Sequence, residues 1–494
     1  MTARFKHQEE EYRRHRFSVA RALLWSMRTG KTRMAVESAR ALFDAMEIRG
    51  VLVIAPNGVH RQWTDEQIHK WDRKSVAFAW RFSNPENSNL FKLFLEVTPL
   101  YKEERIVWLC VNMEVIHRKD IQKIITQFKA AVGRAMLIID ESHHMARAGS
   151  KRTAVTRGLG RKFEYRRILS GTVAEEAPEQ TFSQYEILDR GALGHTTYGG
   201  SKEASRFPCP TCGPRCRGFK NEFCEFEDSY AGGHQFKVIS GHKNLDVLKE
   251  RMARYSSVVL RSDCEDLPAL MCQDRIAEME GEQLKYWNMI ADQEIEESEK
   301  RGIDKVWDGG SALVKLQQIE GGFFKMPDKG ETRDLCGKSN PKMLILNDEI
   351  MQYDGQVVCW FAYTHELEAA YEALTGAKVT CGRFHGKRGT ADRDKDLNLF
   401  LRGKLRTLLA QPAAGGEGRD FSAAGKMLYY SQVFSARVRA QSMERATKMG
   451  GTSVQVVDLM TPTSRYIRDQ NAKKSSVAED VARNGLRRVI EGLR

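Results

Sequence analysis

Two short stretches of this chain carry the residue types that nucleotide hydrolysis requires. The first, residues 26–32, ends in Gly-Lys-Thr just ahead of a helix-like segment. A loop of this kind offers backbone N–H groups and a lysine ammonium to phosphates, and its threonine hydroxyl can hold Mg²⁺. We therefore expect Lys31 to contact the β- and γ-phosphates of a nucleotide and Thr32 to ligate the metal ion.

The loop departs from the usual glycine-rich pattern. Glycine is needed where a backbone approaches phosphate closely. Here Gly30 is the one glycine of the loop, and Trp25 and Arg28 stand where many phosphate loops have glycine. Arg28, Thr29 and Gly30 are nevertheless expected to bind the nucleotide together with Lys31.

The second stretch is an acidic pair, Asp140 and Glu141, which follows the apolar run 136–139. Polar residues at the end of a buried strand lie at the edge of an α/β sheet where ligands bind. Asp140 is expected to hold Mg²⁺ and Glu141 to polarise the attacking water. A solvated acidic turn is the alternative, but the phosphate loop upstream favours the catalytic interpretation.

Composition narrows the class of protein. The chain has 494 residues and a formal net charge of +13, which favours a polyanionic partner such as nucleic acid over an indifferent basic surface. No apolar run approaches the ~20 residues of a membrane span, and the N-terminus lacks a signal-peptide core. The ten cysteines are mostly scattered, as in a reducing compartment. We expect a cytoplasmic protein of a bacterial or phage-infected cell that binds no membrane.

The elements that must position these residues are short, continuous apolar runs with helix-like segments between them. Such runs are typical of strands buried on both faces of a parallel sheet. They occur in the first third of the chain, at 51–55, 106–110, 136–139 and 168–169, and in the last third, at 357–361, 407–410, 427–430 and 454–459. The pattern predicts an α/β domain over 1–190 and a second over 336–494. Residues 191–335 are predicted to form a helical connector with a small insertion near 205–240.

The insertion contains four cysteines. Cys209 and Cys212, separated by Pro-Thr and followed by glycine, are typical of a zinc knuckle, and Cys216 is close enough to join them. Tetrahedral Zn²⁺ needs four such ligands, and we expect Cys224 to complete the set, with His234 or His242 as alternatives for that place. A structural zinc site and free thiols both remain open interpretations.

The order of the motifs resembles that of superfamily-two helicases, and within them the SWI/SNF-type translocases that act on double-stranded DNA. The similar segments are residues 5–8, 55–63, 112–114 and 169–172, together with a connector like that of compact bacteriophage and prophage forms at 241–245, 259–262 and 267–268. The resemblance implies that Gln8 reads adenine and that 170–172 link hydrolysis to motion.

Three segments of the last third also resemble this family. Residues 441–450 are similar to the last helicase motif, which implies that Arg445 faces the nucleotide from the opposite domain, with Gln441 and Lys448 also binding it. A cation at that place can be worth ~10³–10⁵ in rate. The family usually has a second arginine where this chain has Lys448, which lacks the planar fork. Gly418 belongs to a glycine-rich loop, 413–421, that allows close approach to ATP. His385, in 384–386, either contacts nucleic acid or is an ordinary surface histidine.

These observations predict two RecA-like α/β domains, joined by the helical connector with its cysteine-containing insertion, that hydrolyse ATP with Mg²⁺. By resemblance, the expected activity is translocation along duplex or branched DNA, preferred to RNA. A strand-separating DNA or RNA helicase is one alternative. A zinc-containing nucleic-acid binding protein with a weak or lost catalytic site is another, because Arg28 and Lys448 depart from the family pattern.

Overall fold

The computed structural model describes residues 3–57, 59–81, 86–171, 178–200, 208–231, 234–260, 263–264, 270–300, 310–325, 332–336, 340–412, 419–446 and 453–472. These residues fall into two compact units, the first ending at Cys264 and the second beginning after it. Each unit is described by itself below.

The first unit is built on a seven-stranded sheet in which all neighbouring strands are parallel, in the order β3-β4-β2-β5-β6-β1-β9. Its strands and those of an added antiparallel hairpin, β7 and β8, are β1 (Ala20–Trp25), β2 (Gly50–Ala55), β3 (Ser75–Ala79), β4 (Ile106–Asn112), β5 (Ala135–Ile139), β6 (Tyr165–Ser170), β7 (Cys224–Ala231), β8 (His234–His242) and β9 (Ser256–Val259). Every residue of β2 and β5 is buried, as expected for central strands covered on both faces.

Helices of the first unit connect these strands. They are α1 (Lys6–His15), α2 (Lys31–Asp44), α3 (Val59–Gln62), α4 (Ile68–Trp71), α5 (Asn87–Tyr101), α6 (Lys119–Val132), α7 (Lys151–Gly160), α8 (Thr181–Leu188), α9 (Phe219–Phe223) and α10 (Leu245–Ala253). In α6 the apolar residues Ile121, Ile124, Ile125 and Phe128 recur at helical spacing and are all buried in the main core. This amphipathic pattern explains why the segment forms a helix and which face it turns to the sheet.

The second unit has a six-stranded sheet, again with parallel neighbours, in the order β10-β17-β16-β13-β15-β14. Its elements are β10 (Leu270–Ile276), α11 (Gly281–Lys300), α12 (Gly310–Glu320), β11 (Phe323–Lys325), β12 (Thr332–Asp334), α13 (Pro341–Met351), β13 (Val357–Trp360), α14 (Thr364–Gly376), β14 (Cys381–Phe384), α15 (Thr390–Leu401), β15 (Thr407–Ala410), β16 (Lys426–Tyr429), α16 (Ala436–Arg445) and β17 (Val454–Met460).

Alternate residues of the central strand β13 enter two separate cores of the second unit. Val357 and Cys359 belong to one apolar cluster, and Val358 and Trp360 belong to the other. Because successive side chains of a strand point to opposite faces, both faces of this sheet are covered. The predicted α/β class with two parallel sheets is therefore confirmed.

Two strands of the main sheets, β9 and β10, lie inside the interval 191–335 that the sequence suggested as a connector. β9 pairs with β1 at the edge of the first sheet, and β10 pairs with β17 at the edge of the second. β9 has four residues and most residues of β10 are exposed, so neither is a strand buried on both faces of the kind that the apolar pattern identifies. Among the helices that the structure describes, none is both long and apolar enough to cross a membrane.

Candidate functional site

The Gly-Lys-Thr loop connects β1 to α2, with Gly30 directly before the helix. Arg28 and Gly30 both have left-handed backbone angles, with φ of 63° and 93°. Such a turn directs successive N–H groups toward one point, an arrangement suited to phosphate. The Lys31 Nζ lies 2.7 Å from the carbonyl oxygen of Trp25 and 3.2 Å from that of Ser26. Lys31 is therefore buried against the loop backbone. Arg28 has a left-handed φ, a conformation that glycine adopts with less strain.

Side chains of helix α1, which precedes β1 in the chain, contact the backbone of this loop. Gln8 Nε2 donates a hydrogen bond of 2.9 Å to the carbonyl oxygen of Thr29, and His7 Nε2 lies 2.9 Å from the same oxygen. A Cβ atom at Gly30 would come within 2.3 Å of Gln8 Nε2. Gly30 is therefore required both by its backbone angle and by the close approach of Gln8. Gln8 is only 1% exposed, and its contact with adenine stays a prediction.

The acidic pair follows β5, two strands from β1 in the sheet. Asp140 Oδ2 accepts a hydrogen bond of 2.8 Å from Trp63 Nε1, and its Oδ1 accepts one of 3.0 Å from the Glu141 N–H. Glu141 itself has a left-handed φ of 49°. Trp63 begins a π-helical segment, Trp63–Gln67, that follows β2 and α3. Because β2 is the neighbour of β5, the sheet brings Trp63 to the aspartate. The sequence included Trp63 in a motif but gave no sign of this contact.

The end of β6 lies between the loop and the acidic pair. His143 Nδ1 is 3.4 Å from Glu141 Oε2 and 3.3 Å from Ser170 Oγ. On the other side, a Cβ atom at Gly171 would lie 3.1 Å from Met27 Cγ and 3.8 Å from Lys31 Nζ. A series of close neighbours thus runs from Lys31 past Gly171, Ser170 and His143 to Glu141. Because β6 pairs with both β5 and β1, this proximity follows from strand order.

Arg445, at the end of α16 in the second unit, is 3% exposed. Its Nη1 donates a hydrogen bond of 3.2 Å to the Pro412 carbonyl oxygen, and its own carbonyl oxygen accepts one from the Phe421 N–H. Arg445 therefore lies beside both ends of the predicted glycine-rich loop. Gln441, one turn earlier, is buried. Gly418 and Lys448, the other predicted nucleotide contacts of this unit, lie outside the described residues, as does Thr172 of the segment 170–172 in the first unit.

His385 follows β14 and is 3% exposed. Its Nε2 lies 2.9 Å from Glu368 Oε1. Burial lowers the pKa of His385, although Glu368 opposes that shift. A buried, largely neutral histidine beside a carboxylate is a poor partner for a phosphate backbone, so this arrangement favours a structural role over contact with nucleic acid.

Three of the four predicted zinc ligands come together. The Sγ atoms of Cys209, Cys212 and Cys216 lie 3.6, 3.6 and 3.5 Å from Nδ1 of His195, and all four ligand atoms are within 4.8 Å of one another. The structure corrects the fourth member: His195 occupies the place that we expected for Cys224, which lies elsewhere. His242 also lies elsewhere, and the side chain of His234 is outside those that the structure describes.

The segment 209–213 forms a tight turn that prepares its thiols for metal binding. Backbone N–H groups of Cys209 and Gly213 each donate to the carbonyl oxygen of the other, at 2.7 and 2.9 Å. Burial alone would raise the pKa of the Cys209 thiol, but hydrogen bonds from Thr211 and the Cys212 N–H lower it to about 7. Since the thiolate is the form that binds metal, these donors favour the ligand state.

The second nitrogen of His195 has its own partners. Nε2 contacts the Glu222 carboxylate, whose other oxygen lies 3.0 Å from Arg251 Nη2. A carboxylate on the far nitrogen fixes the ring orientation and leaves Nδ1 facing the three thiols, as in many histidine-ligated metal sites. The four donors and their supporting carboxylate fit a tetrahedral ion of the zinc type.

Comparison with known proteins identifies the family to which this chain belongs. The model of the SNF2-related domain matches residues 21–318, and that of the helicase conserved C-terminal domain matches 341–450. The first match alone covers more than half of the chain. The protein therefore belongs to the SNF2-related family, within the nucleic-acid-dependent ATPases of helicase superfamily two. The predicted family is confirmed; its compact phage-like form stays a prediction.

Two individual relatives can be named. The human DNA annealing helicase and endonuclease ZRANB3 is 21% identical over 407 residues, which cover 82% of this chain and 33% of the relative. The chain thus spans about a third of that relative's length. A solved structure, the Sulfolobus solfataricus SWI2/SNF2 ATPase core in complex with dsDNA, aligns over 98% of this chain and 94% of its own, with 16% identity and a TM-score of 0.41.

Proposed function

We propose that this protein is an ATP-driven DNA translocase that hydrolyses ATP with Mg²⁺. The observation that carries the proposal is the set of close neighbours from Lys31 through Gly171, Ser170 and His143 to Glu141. This set brings together, at one edge of one sheet, the Lys31 ammonium, the end of β6 and the acidic pair that follows β5. Membership of an ATPase family supports the same conclusion.

Within this site the residues divide the work. Lys31 binds the β- and γ-phosphates, the backbone of Arg28, Thr29 and Gly30 surrounds them, and Gln8 holds the loop in shape. Thr32 and Asp140 are the Mg²⁺ ligands, and the metal when bound neutralises charge on the phosphates. Glu141 takes a proton from the attacking water, a role worth about 10²–10⁴ in rate.

The second unit contributes the residues of the last motif. Arg445 is proposed as the cation that offsets charge on the γ-phosphate, with Gln441, Gly418 and Lys448 as further nucleotide contacts. Arg445 is buried and its Nη1 donates to the Pro412 carbonyl oxygen, so its guanidinium is held in place. This supports the proposed role, because a side chain that is already held loses little conformational entropy when it binds a ligand.

Duplex or branched DNA is the proposed partner, in preference to RNA. Two observations support it: the net charge of +13, and a relative described as a DNA annealing helicase. Phosphate contacts dominate binding of this type, so it should be tolerant of sequence and sensitive to salt. The cytoplasmic location and the bacterial or phage source stay predictions.

We also propose that His195, Cys209, Cys212 and Cys216 hold a structural Zn²⁺. The four donors satisfy the tetrahedral preference of the ion completely, which argues against a catalytic role with an open position. When bound, the ion supplies folding free energy to the loops that carry its ligands.

Steady-state ATP turnover tests the enzyme proposal, measured in parallel without nucleic acid and with single-stranded DNA, duplex DNA, forked DNA and RNA. We expect the largest stimulation by duplex or forked DNA. Lys31→Ala should abolish ATP turnover, whereas Lys151→Ala should leave it unchanged. Lys151 is a matched control because it also begins a helix but is exposed. Turnover that survives Lys31→Ala would remove the proposal.

Translocation is separated from unwinding by two displacement assays. Release of a third strand from duplex DNA reports translocation, and release of one strand from a fork or an RNA duplex reports strand separation. We expect ATP-dependent release in the first assay. Strand release from forks without triplex displacement would favour the strand-separating alternative.

A further inference from the structure

Two residues that the sequence offered as zinc ligands, Cys224 and His242, are absent from the Cys209 cluster but meet each other. Glu179 joins them, and the three ligand atoms all lie within 4.8 Å of one another. We propose that Glu179, Cys224 and His242 form a second metal site, distinct from the first, that takes Zn²⁺.

The hairpin explains why the cysteine and the histidine converge. Cys224 and His242 are opposite partners in the antiparallel pairing of β7 with β8, at the open end of the hairpin. Side chains of directly opposed residues lie on the same face, a few ångströms apart. Glu179 approaches that face from the short turn Pro178–Gln180, with its Oε2 2.7 Å from His242 Nε2.

The donor set selects the class of ion. A thiolate, an imidazole nitrogen and a carboxylate oxygen are the three protein donors that Zn²⁺ accepts, whereas Mg²⁺ and Ca²⁺ prefer oxygen alone. One thiolate and one carboxylate also balance the charge of a divalent cation. Three protein ligands leave a fourth position for water or for a further group.

The three side chains of the second site differ in their exposure to solvent. Cys224 is fully buried, while the side chains of Glu179 and His242 are 19% and 26% exposed. The ion can therefore approach from the side of the histidine and the glutamate and reach the thiol at the base.

The two proposed sites flank one small structural unit. Glu222, which supports His195, and Cys224 lie at the end of α9 and the start of β7, with Phe223 between them. Phe223 is buried against Phe219, with ring centroids 4.7 Å apart. A metal at the second site would fasten the open end of the hairpin to Glu179, in the first turn that the structure describes after Gly171.

Metal content of the full chain, purified in zinc-containing buffer without chelator, tests the inference. We expect about two zinc ions per chain, one for each ligand set. Cys224→Ser and His242→Ala should each reduce the content to about one, whereas Cys272→Ser, at an exposed cysteine outside both clusters, should leave it unchanged. Cys212→Ser should remove the other ion, so failure of the first site is distinguished from failure of the second.

Cobalt substitution supplies a second readout that does not depend on stoichiometry alone. The two sites together contain four cobalt–thiolate bonds, so Cys224→Ser should lower the charge-transfer absorbance by about a quarter. If Cys224→Ser does not fold, Glu179→Gln keeps the thiol and the size of the side chain and should still weaken the second ion. One zinc per chain that is unaffected by Cys224→Ser, His242→Ala and Glu179→Gln would overturn the proposal, as would a chain without zinc.

Discussion

The nucleotide site and the Cys209 cluster, both in the first unit, are built in different ways. Asp140 and Ser170 stand at the carboxyl ends of neighbouring parallel strands, and Lys31 begins the helix after the next strand, so backbone pairing and the apolar core determine their separation. His195 and the cysteines 209–216 lie on loops outside the main sheet. Their geometry depends on a few side-chain contacts, of which the His195–Glu222 pair is one.

This difference teaches which site should depend on a ligand for its shape. A site at a sheet edge is positioned by secondary structure and is largely preformed. A site built from loops has little buried apolar surface to offset conformational entropy, so an ion must supply part of the folding free energy. Substitutions at the nucleotide site should therefore affect the rate of ATP hydrolysis. Substitutions in the Cys209 cluster should affect local structure.

The largest expected effect comes from Glu141→Gln. Loss of the general base should lower the rate of ATP hydrolysis by about 10²–10⁴, while ATP binding and the thermal unfolding midpoint stay close to the wild type. Single-turnover hydrolysis and differential scanning fluorimetry measure the two. Glu104→Gln, at an exposed position, is the control. A large fall in the unfolding midpoint would break the distinction between chemical and structural sites.

His195→Ala should have the next largest effect, on local structure. Removing one of four ligands should lower the zinc content by about one ion per chain and make residues 191–242 a preferred site of limited proteolysis. His117→Ala, an exposed histidine, should change neither. Proteolysis that is unchanged after the loss of the ion would contradict the view that this region needs metal.

These two cases show how far the sequence reaches. Lys31 was predictable from the Gly-Lys-Thr motif ahead of a helix-like segment, and Asp140 because it follows a short apolar run whose end lies at the ligand-binding edge of a parallel sheet. His195 was not predictable, because it lies 14 residues before Cys209 and its place beside the thiols depends on tertiary contacts such as that with Glu222. The hydrogen bond from Trp63 to Asp140 likewise depends on strand order, which local pattern does not reveal.

Glu222→Gln sharpens the comparison further, since Glu222 contacts His195 and would touch no metal itself. A lost carboxylate partner typically lowers metal affinity by about 10–100-fold. Competition with a chromophoric chelator measures it, with Glu227→Gln on the exposed part of β7 as the control. Equal affinities for both variants would show that the carboxylate does not orient the ring.

The smallest expected effect is that of Trp63→Phe. This change removes the N–H that donates to Asp140 but keeps an aromatic ring, so kcat should fall by about three- to tenfold, the size expected from the loss of one hydrogen bond with a net worth of about 1 kcal/mol. The Mg²⁺ concentration for half-maximal activity should also rise. Trp108→Phe is a close control, because that buried tryptophan donates to Ser75 instead. Equal losses in the two variants would assign the effect to packing.

The position of β9 has a consequence for biosynthesis. β1 is made early, yet its two neighbours in the sheet are β6 and β9, and every cysteine and histidine of both clusters is encoded between those two strands. A growing chain therefore emerges from the ribosome with all of its thiol ligands before the strand that bears the phosphate loop has gained its last partner. Capture of zinc at the proposed sites can thus precede closure of the sheet, so the order of the chain places the metal ligands before the last strand.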